Sequence, residues 1–415
     1  MTDHRPLATL RCPRCDRTGD PADRGTYLGC PDCRSAGVPV NFVCDVPESA
    51  VHAALHGNGT GGPGLWRWAG ALPVAAQYAV SLGEGSTPLL ALPTLGAHYG
   101  LPRLYGKNET LNPTWSHKDR LCALAVAAAR AVGADTVAAA STGNHGAALA
   151  AYAARAGLRC VIFTLTTVPE TMKTLMLSYG AEVVAVPQSA QRYPLLAEGV
   201  ERHGWFAGSN GVTPPVGSTP YGVDGYKTLA YELYEQLGGA IPDVVIFPVM
   251  YADCLSGAYR GFVDLRDAGL ADRVPRLIGA EIFTALGEAL RHAAHGEDRL
   301  GPVPVRQTAA FSISGAFTTW QAVHAVRASD GQSVTVAEED MLATQRRIAA
   351  TEGLFVEPSS AVGVAAAGLL ARAKLVSPQE TVVCVLTASG LKDPVAARIG
   401  LPEVAVAPGN GSRPA

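Results

Sequence analysis

From about residue 75 onward the chain alternates short apolar runs with longer stretches whose apolar residues recur at helical spacing. The apolar runs predict strands at 136–140, 159–165, 182–186, 243–250, 276–282 and 381–387. Between them the spacing predicts a helix over 119–132 stopped by Gly133, one from Ala147 to Gly157, and one from Pro169 to Gly180. Further helices are expected over 224–237, 255–268, 337–352 and 359–373. Apolar strands separated by helices predict an α/β fold whose parallel sheets are covered on both faces. Such sheets put functional groups at the carboxyl ends of their strands. The loops after 136–140 and 243–250 both lie there.

The first 45 residues break this pattern. They hold two knuckles, Cys12-Pro13-Arg14-Cys15 and Cys30-Pro31-Asp32-Cys33, separated by fourteen residues. A two-residue gap lets both thiolates of a knuckle face one ion, and two knuckles complete a tetrahedral zinc site. A pair of disulfides is the alternative. Four thiolates leave no open coordination position, so such a zinc is structural. Of the other five cysteines, Cys44, Cys122, Cys160 and Cys384 read as buried fillers, and Cys254 sits in a loop of interest. The run Gly57-Asn58-Gly59-Thr60-Gly61-Gly62-Pro63-Gly64 reads as a linker. The tail from about Pro402 reads as disordered.

Composition narrows the class. With 415 residues, 48% apolar and 17% charged, the chain suits an ordinary globular protein of two or three domains. Its net charge of −3 gives no footprint for nucleic acid or an anionic membrane. In the ribbon, Arg11, Arg14, Arg17, Arg24 and Arg34 are offset by Asp16, Asp20, Asp23 and Asp32. The first residues lack the apolar core of a signal peptide, and the longest uncharged stretch, 137–154, is interrupted by Ser-Thr-Gly-Asn-His-Gly. A cytoplasmic enzyme without a nucleic-acid or membrane partner is expected.

The candidate chemistry lies in Asn112-Pro113-Thr114-Trp115-Ser116-His117-Lys118-Asp119-Arg120 and in Ser141-Thr142-Gly143-Asn144-His145-Gly146. A lysine among small polar turn residues, followed about twenty positions later by a Ser/Thr-Gly-Asn loop, suits a pyridoxal phosphate enzyme. Lys118 would hold the cofactor as a Schiff base, and the second loop would hold the ring and an amino-acid substrate. A lysine at a helix N-terminus opposes the helix dipole, which argues against a merely structural role.

These segments carry a resemblance. Gly83-Glu84-Gly85-Ser86-Thr87-Pro88-Leu89, Lys107-Asn108-Glu109-Thr110, the two segments above, Ala150-Ala151-Tyr152-Ala153-Ala154, Glu357-Pro358-Ser359-Ser360-Ala361 and Leu386-Thr387-Ala388-Ser389-Gly390-Leu391-Lys392-Asp393-Pro394 resemble the successive motifs of threonine synthase. That family lies within the tryptophan-synthase-β-like, fold-type-II pyridoxal phosphate enzymes. The resemblance implies two three-layer parallel-sheet domains: a large one from 81–121 and 225–402, and a smaller one from 122–224. They would follow the ribbon at 1–45 and a lead-in at 46–80, with a tail at 403–415. It implies Lys118 as the catalytic base and acid and Asn144 on the cofactor's ring oxygen. Thr387 would face the pyridine nitrogen, with Ser389 competing for that role. The substrate carboxylate would lie on the amides of Ser141, Thr142, Gly143, Asn144 and His145. Ser86, Thr87 and Lys107 would bind a substrate phosphate. Fold-type-II enzymes are often dimers, so a homodimer is allowed, although no residue pattern shows it.

The chain departs from the pattern at three places. His117 stands where an aromatic is usual and, as in tryptophan-synthase-β-like enzymes, would approach the cofactor phosphate. Trp115 replaces a glycine beside the lysine and is expected to reshape the pocket. The phosphate loop, usually Gly/Asn-rich, reads Tyr251-Ala252-Asp253-Cys254-Leu255-Ser256. There the Asp253 carboxylate would repel a phosphate unless it turns away or caps the next helix, and loss of glycine implies an altered path. The reading is a threonine-synthase-like lyase or synthase acting on a phospho-amino acid. The alternatives are β-elimination or β-replacement, which His145 after Asn144 resembles, and a non-catalytic regulatory relative.

Overall fold

The computed structural model describes residues 6–57 and 62–401; the proposed tail and the centre of the glycine-rich linker lie outside them. Strands β1 (Thr9–Arg11), β2 (Thr18–Gly19) and β3 (Val43–Asp45) make a small antiparallel sheet, ordered β2-β1-β3, that carries the cysteine knuckles. Strands β4 (Leu89–Ala91) and β5 (Leu104–Asn108) then begin a larger sheet. The chain leaves it to build a four-stranded parallel sheet from β6 (Thr136–Ala140), β7 (Arg159–Leu165), β8 (Glu182–Val186) and β9 (Phe206–Ala207), in the order β8-β7-β6-β9. It returns with β10 (Val244–Pro248), β11 (Arg276–Glu281), β12 (Gln332–Thr335) and β13 (Val382–Leu386), giving the six-stranded order β12-β11-β10-β13-β5-β4. All pairs in the larger sheet are parallel except β4 with β5.

Six helices position the site: α1 (Lys118–Ala131), α2 (Asn144–Ala156), α3 (Arg192–His203), α4 (Lys227–Gln236), α5 (Asp253–Asp267) and α6 (Pro358–Arg372). Helix α1 is buried from Asp119 through Ala129, and α2 packs on it. Alanine suits both: it has the highest helix propensity, and its small side chain lets the two backbones approach. Each stops where the sequence indicates, with Gly133 at φ 67° just beyond α1 and Gly157 at φ 70° capping α2. The central strands β10 and β13 are buried at every residue, so their continuous apolar runs follow from having both faces covered.

The ribbon is docked on the enzyme body. Ala8 N–H donates to Pro73 O (2.8 Å), Asn41 Nδ2 to Ser218 O (2.8 Å) and an Arg260 N–H to Cys44 O (2.7 Å). Val40 and Phe42 are buried as part of the same apolar core as α1 and α2. Lacking a core of its own, the ribbon borrows that of its neighbour.

Candidate active site

Lys118 is the first residue of α1, and the end of β13 holds it there. Ser116 bridges Ala388, the His117 amide donates to Thr387 O (2.8 Å), and His117 Nδ1 lies 3.1 Å from the same oxygen. The His117 ring stacks on Tyr226, with centroids 5.5 Å apart and planes at 25°. Burial and the neighbouring Lys118 push His117 well below the usual histidine range, so it is neutral near pH 7. The Lys118 ammonium lies 5.9 Å from the Tyr226 ring centroid and, among the described residues, has no carboxylate partner.

This lysine opens on a cavity of about 420 Å³ that joins the carboxyl ends of both sheets. From the sequence candidates it gathers His117, Lys118, Ser141 to His145, Tyr251 to Cys254 and Thr387. The Ser141 hydroxyl accepts from the amides of Gly143 (3.3 Å) and Gly146 (2.8 Å), fixing the loop at the start of α2. The Ser141 amide donates to Phe163 O (3.0 Å), so of the expected amides those of Thr142, Asn144 and His145 are left without an acceptor among the described residues of the cavity wall, an arrangement suited to an anion. Asn144 donates from Nδ2 to Glu357 (3.1 and 3.3 Å) and Ser312 (3.3 Å). Its Oδ1 is buried without a partner, as is His145 Nε2. Burial and Lys118 push His145 down to about 3. Thr387 lines the cavity and shares a hydrogen bond with Ser360 (2.8 Å). Ser389 lies outside the lining and caps the short turn after it, accepting from Leu391 N–H.

The loop after β10 departs from the expected path in an instructive way. Ala252 takes a left-handed conformation, φ 59°, so the turn that a glycine would make is kept at a cost of about 1–2 kcal/mol. Helix α5 begins at Asp253, two residues before the expected start. The Asp253 carboxylate turns sideways onto the Ser218 hydroxyl (2.7 Å) and amide (3.3 Å). The amides of the first α5 turn therefore face the cavity without a carboxylate across them. Of the loop residues, Leu255 is buried in the core and the Ser256 hydroxyl bonds Ala252 O (2.9 Å), so neither side chain lines the cavity. The Cys254 thiol does line it, and burial raises it well above the thiol range.

Three expected phosphate ligands are elsewhere. Lys107 is fully buried, and its ammonium is shared among Glu232 (2.6 Å), Thr87 O (2.6 Å) and Gln236 (3.0 Å). The Thr87 hydroxyl donates to Glu109 (2.6 Å), and the amide of exposed Ser86 donates to Glu232 (2.7 Å). Arg120 completes the group, 2.7 Å from both Glu109 and Glu232. Burial alone would raise Glu232, but Arg120 and Lys107 outweigh it and hold the carboxylate at about 2. Two cations and two carboxylates thus balance with no exposure to the cavity, tying β5 and α4 to the helix that bears Lys118. Trp115 also stays out of the pocket. It takes φ 61°, the conformation that a glycine would adopt, and the residue is 41% exposed.

Residues not singled out from the sequence complete the wall: Arg192 and Tyr193 from α3, Ser218, Phe311 to Gly315, and Glu357. Glu357 stood in a quoted motif, and its carboxyl, raised by burial, is now seen against Asn144. No spacing signal marked Arg192. A larger cavity of about 600 Å³, between the ribbon and the smaller sheet, includes Tyr27, Trp205 and Tyr221 and none of the motif residues above.

The residues fit pyridoxal phosphate. A lysine without a carboxylate partner, two helix starts and an unpartnered buried amide oxygen converge on one cavity of suitable size. The sulfurs of Cys12, Cys15, Cys30 and Cys33 lie within 4.8 Å of one another, with Cys12–Cys33 and Cys15–Cys30 both at 3.6 Å. Zinc–sulfur bonds of about 2.3 Å at tetrahedral angles place sulfurs ~3.8 Å apart, so the cluster is compatible with zinc.

Comparison with known proteins agrees with this chemistry. Residues 80–388 match the family described as pyridoxal-phosphate dependent enzyme. The chain is 32% identical to a threonine synthase of Methanocaldococcus jannaschii over 397 residues, covering 93% of each protein. It is 38% identical to that of Synechocystis over 332 residues, covering 78% of this chain and 81% of the relative. Maize serine racemase shares the fold (TM-score 0.62, 21% identity, covering 73% of this chain and 88% of that one). So does an O-ureido-L-serine synthase (TM-score 0.60, 26% identity, 77% and 94% covered). The chain belongs to the pyridoxal-phosphate-dependent enzymes of fold type II, as a threonine-synthase-like lyase.

Proposed function

We propose that the enzyme removes phosphate from O-phospho-L-homoserine or a closely related phospho-amino acid and then adds water or another nucleophile. The observation that carries this reading is the convergence of Lys118 with the N-termini of α2 and α5 on one cavity. The α5 amides suit the cofactor phosphate and the α2 amides the substrate carboxylate. Asn144 would serve the ring oxygen by donating from Nδ2, which here bonds Glu357 and Ser312; Thr387 suits the pyridine nitrogen, and His117 a neutral contact near the cofactor. When bound, pyridoxal phosphate withdraws electrons from the substrate's Cα, acidifying that carbon.

Lys118 would take the proton from Cα and deliver protons further along the side chain, working from a wall that keeps its neighbouring histidines neutral. The cysteine cluster would hold one structural zinc. The domain limits expected from the sequence are retained in this reading, as is a cytoplasmic location, which nine unpaired cysteines suit. His145 on the cavity wall favours a second reading, β-elimination or β-replacement.

The test is incubation of pure, cofactor-loaded protein with O-phospho-L-homoserine, measuring phosphate and threonine together. Equal release of both supports the proposal; phosphate with 2-oxobutyrate indicates elimination without hydration. No phosphate from fully loaded protein moves the reading to β-chemistry. Lys118→Ala should lose both the visible band of the lysine-linked cofactor and all turnover; retained turnover would sink the role given to this lysine.

A further inference from the structure

We propose that Arg192 is the residue that selects substrates with an anionic group at the far end of the side chain. The inference rests on the reading above and adds the element that recognises the leaving group.

Arg192 opens α3 on the wall formed by Leu165, Thr167, Ser189 and Tyr193, and is only 7% exposed. Its described hydrogen bonds go to one neutral neighbour, the carbonyl and hydroxyl of Ser189. A buried guanidinium normally has a carboxylate beside it, because desolvating a cation without one is costly. The two carboxyls on this cavity are engaged elsewhere: Asp253 with Ser218, and Glu357 with Asn144. His117 and His145 are held neutral by burial and by Lys118. Once Lys118 carries the cofactor, Arg192 is the remaining uncommitted cation among the described residues of the wall.

The counter-charge therefore arrives with a ligand. Two of the expected anions already have backbone cradles, the substrate carboxylate at α2 and the cofactor phosphate at α5. Arg192 belongs to neither cradle, being carried by α3 on the smaller sheet, and its planar fork suits a phosphate held through two parallel hydrogen bonds. Tyr193 lies next to it, its hydroxyl 3.4 Å from that of Tyr251, giving the subsite a second polar edge. A phosphate could belong to the cofactor as well as the substrate, so the experiment separates the two.

The holoenzyme and its Arg192→Gln and Arg192→Lys variants would be titrated with inorganic phosphate by calorimetry. O-phospho-L-homoserine and L-2-aminobutyrate, the same skeleton without the phosphate, would be followed by the cofactor's visible band. In R192Q, binding of inorganic phosphate and of the phospho-amino acid should weaken at least about tenfold, while L-2-aminobutyrate changes less than about threefold. R192K should fall between. Equal weakening of both amino acids would overturn the proposal, since Arg192 would then serve the α-carboxylate or the wall. Loss of cofactor affinity with unchanged phosphate binding to loaded enzyme would assign Arg192 to the cofactor and also overturn it. Should R192Q fail to load cofactor, the same contrast is read in R192K. A wild-type enzyme that binds these ligands but releases no phosphate would defeat the reading of the reaction and leave this binding contrast intact.

Discussion

The carboxylate of Asp253 points at Ser218, 2.7 Å from its hydroxyl, and so leaves the first turn of α5 open to the cavity. Ser218 thereby allows an acidic residue at the mouth of the proposed phosphate site. Removing the hydroxyl leaves Asp253 with the Ser218 amide alone and frees it to swing toward the bound phosphate. Ser218→Ala should weaken pyridoxal phosphate binding about tenfold, the effect of one hydrogen bond to a charged group. Asp253→Ser in the same background should restore it. Cofactor titration monitored by absorbance decides the matter, and an S218A protein with wild-type affinity would show that Asp253 exerts no repulsion.

Lys107 and Glu232 make a stability prediction where the sequence suggested a binding one. Their contact of 2.6 Å lies in a group closed off from solvent, with Arg120 and Glu109 beside it. Removing one charge strands another, which costs about 3–5 kcal/mol. Glu232→Gln and Lys107→Met should each lower the denaturant midpoint sharply. The KM of the protein that remains folded should change little, because neither group reaches the cavity. A K107M variant of normal stability with a raised KM would return Lys107 to the substrate.

What could be read from the chain follows the physics of each element. Strands β6, β7 and β8 were visible because they are short and apolar between glycine or proline punctuation, and they fall at the expected residues. Lys118 and Asn144 could be singled out as candidates because the chemistry proposed for them needs particular neighbours within a few positions, and both line one cavity. The partners of Lys107 were not, because Glu232 lies 125 residues away and only the packing of α4 on the lysine segment joins them. Arg192 was silent for the same reason. The turn at Ala252 was misjudged on a residue rule: glycine makes a left-handed turn cheaply, yet a cost of about 1–2 kcal/mol is bearable where surrounding structure requires the turn.

Trp115 gives the same lesson in testable form. It holds the left-handed geometry that glycine would adopt, with its ring turned to solvent. Trp115→Gly should therefore relieve about 1 kcal/mol of backbone strain, partly offset by glycine's greater freedom when unfolded. The kinetic constants should stay within about twofold of wild type. A large change in KM would mean that the indole reaches the substrate after all.

His145 predicts an acid limb of stability. Its folded-state pKa is depressed from the usual 6.5 to about 3, first by burial and then by Lys118, while the unfolded chain protonates normally. The contribution is therefore fully present above pH 6.5 and declines as pH falls from 6.5 toward 3, by at most about 1.4 kcal/mol per pH unit from this one group. Melting temperature measured from pH 7.5 to 5 should fall more steeply for wild type than for His145→Gln. Parallel curves would show that the ring is not held neutral.

The cysteine cluster connects to the active site through one side chain. Asn41 lies between the second knuckle and β3, and its Nδ2 donates to the carbonyl of Ser218, the residue that restrains Asp253. The ribbon has little core of its own, so loss of a zinc held by the four thiolates, as proposed above, should loosen the segment that carries Asn41. Elemental analysis of protein purified without chelator should find close to one zinc per chain, lost in a Cys12→Ser/Cys15→Ser double variant. That variant should exchange amide hydrogens faster across residues 6–45 and bind pyridoxal phosphate several-fold more weakly, because Ser218 is no longer held. If exchange quickens while cofactor affinity stays unchanged, the ribbon is metal-dependent but Ser218 keeps its place without Asn41. A chain that carries no metal and exchanges slowly would mean that docking on the enzyme body, rather than four thiolates around an ion, holds the ribbon together.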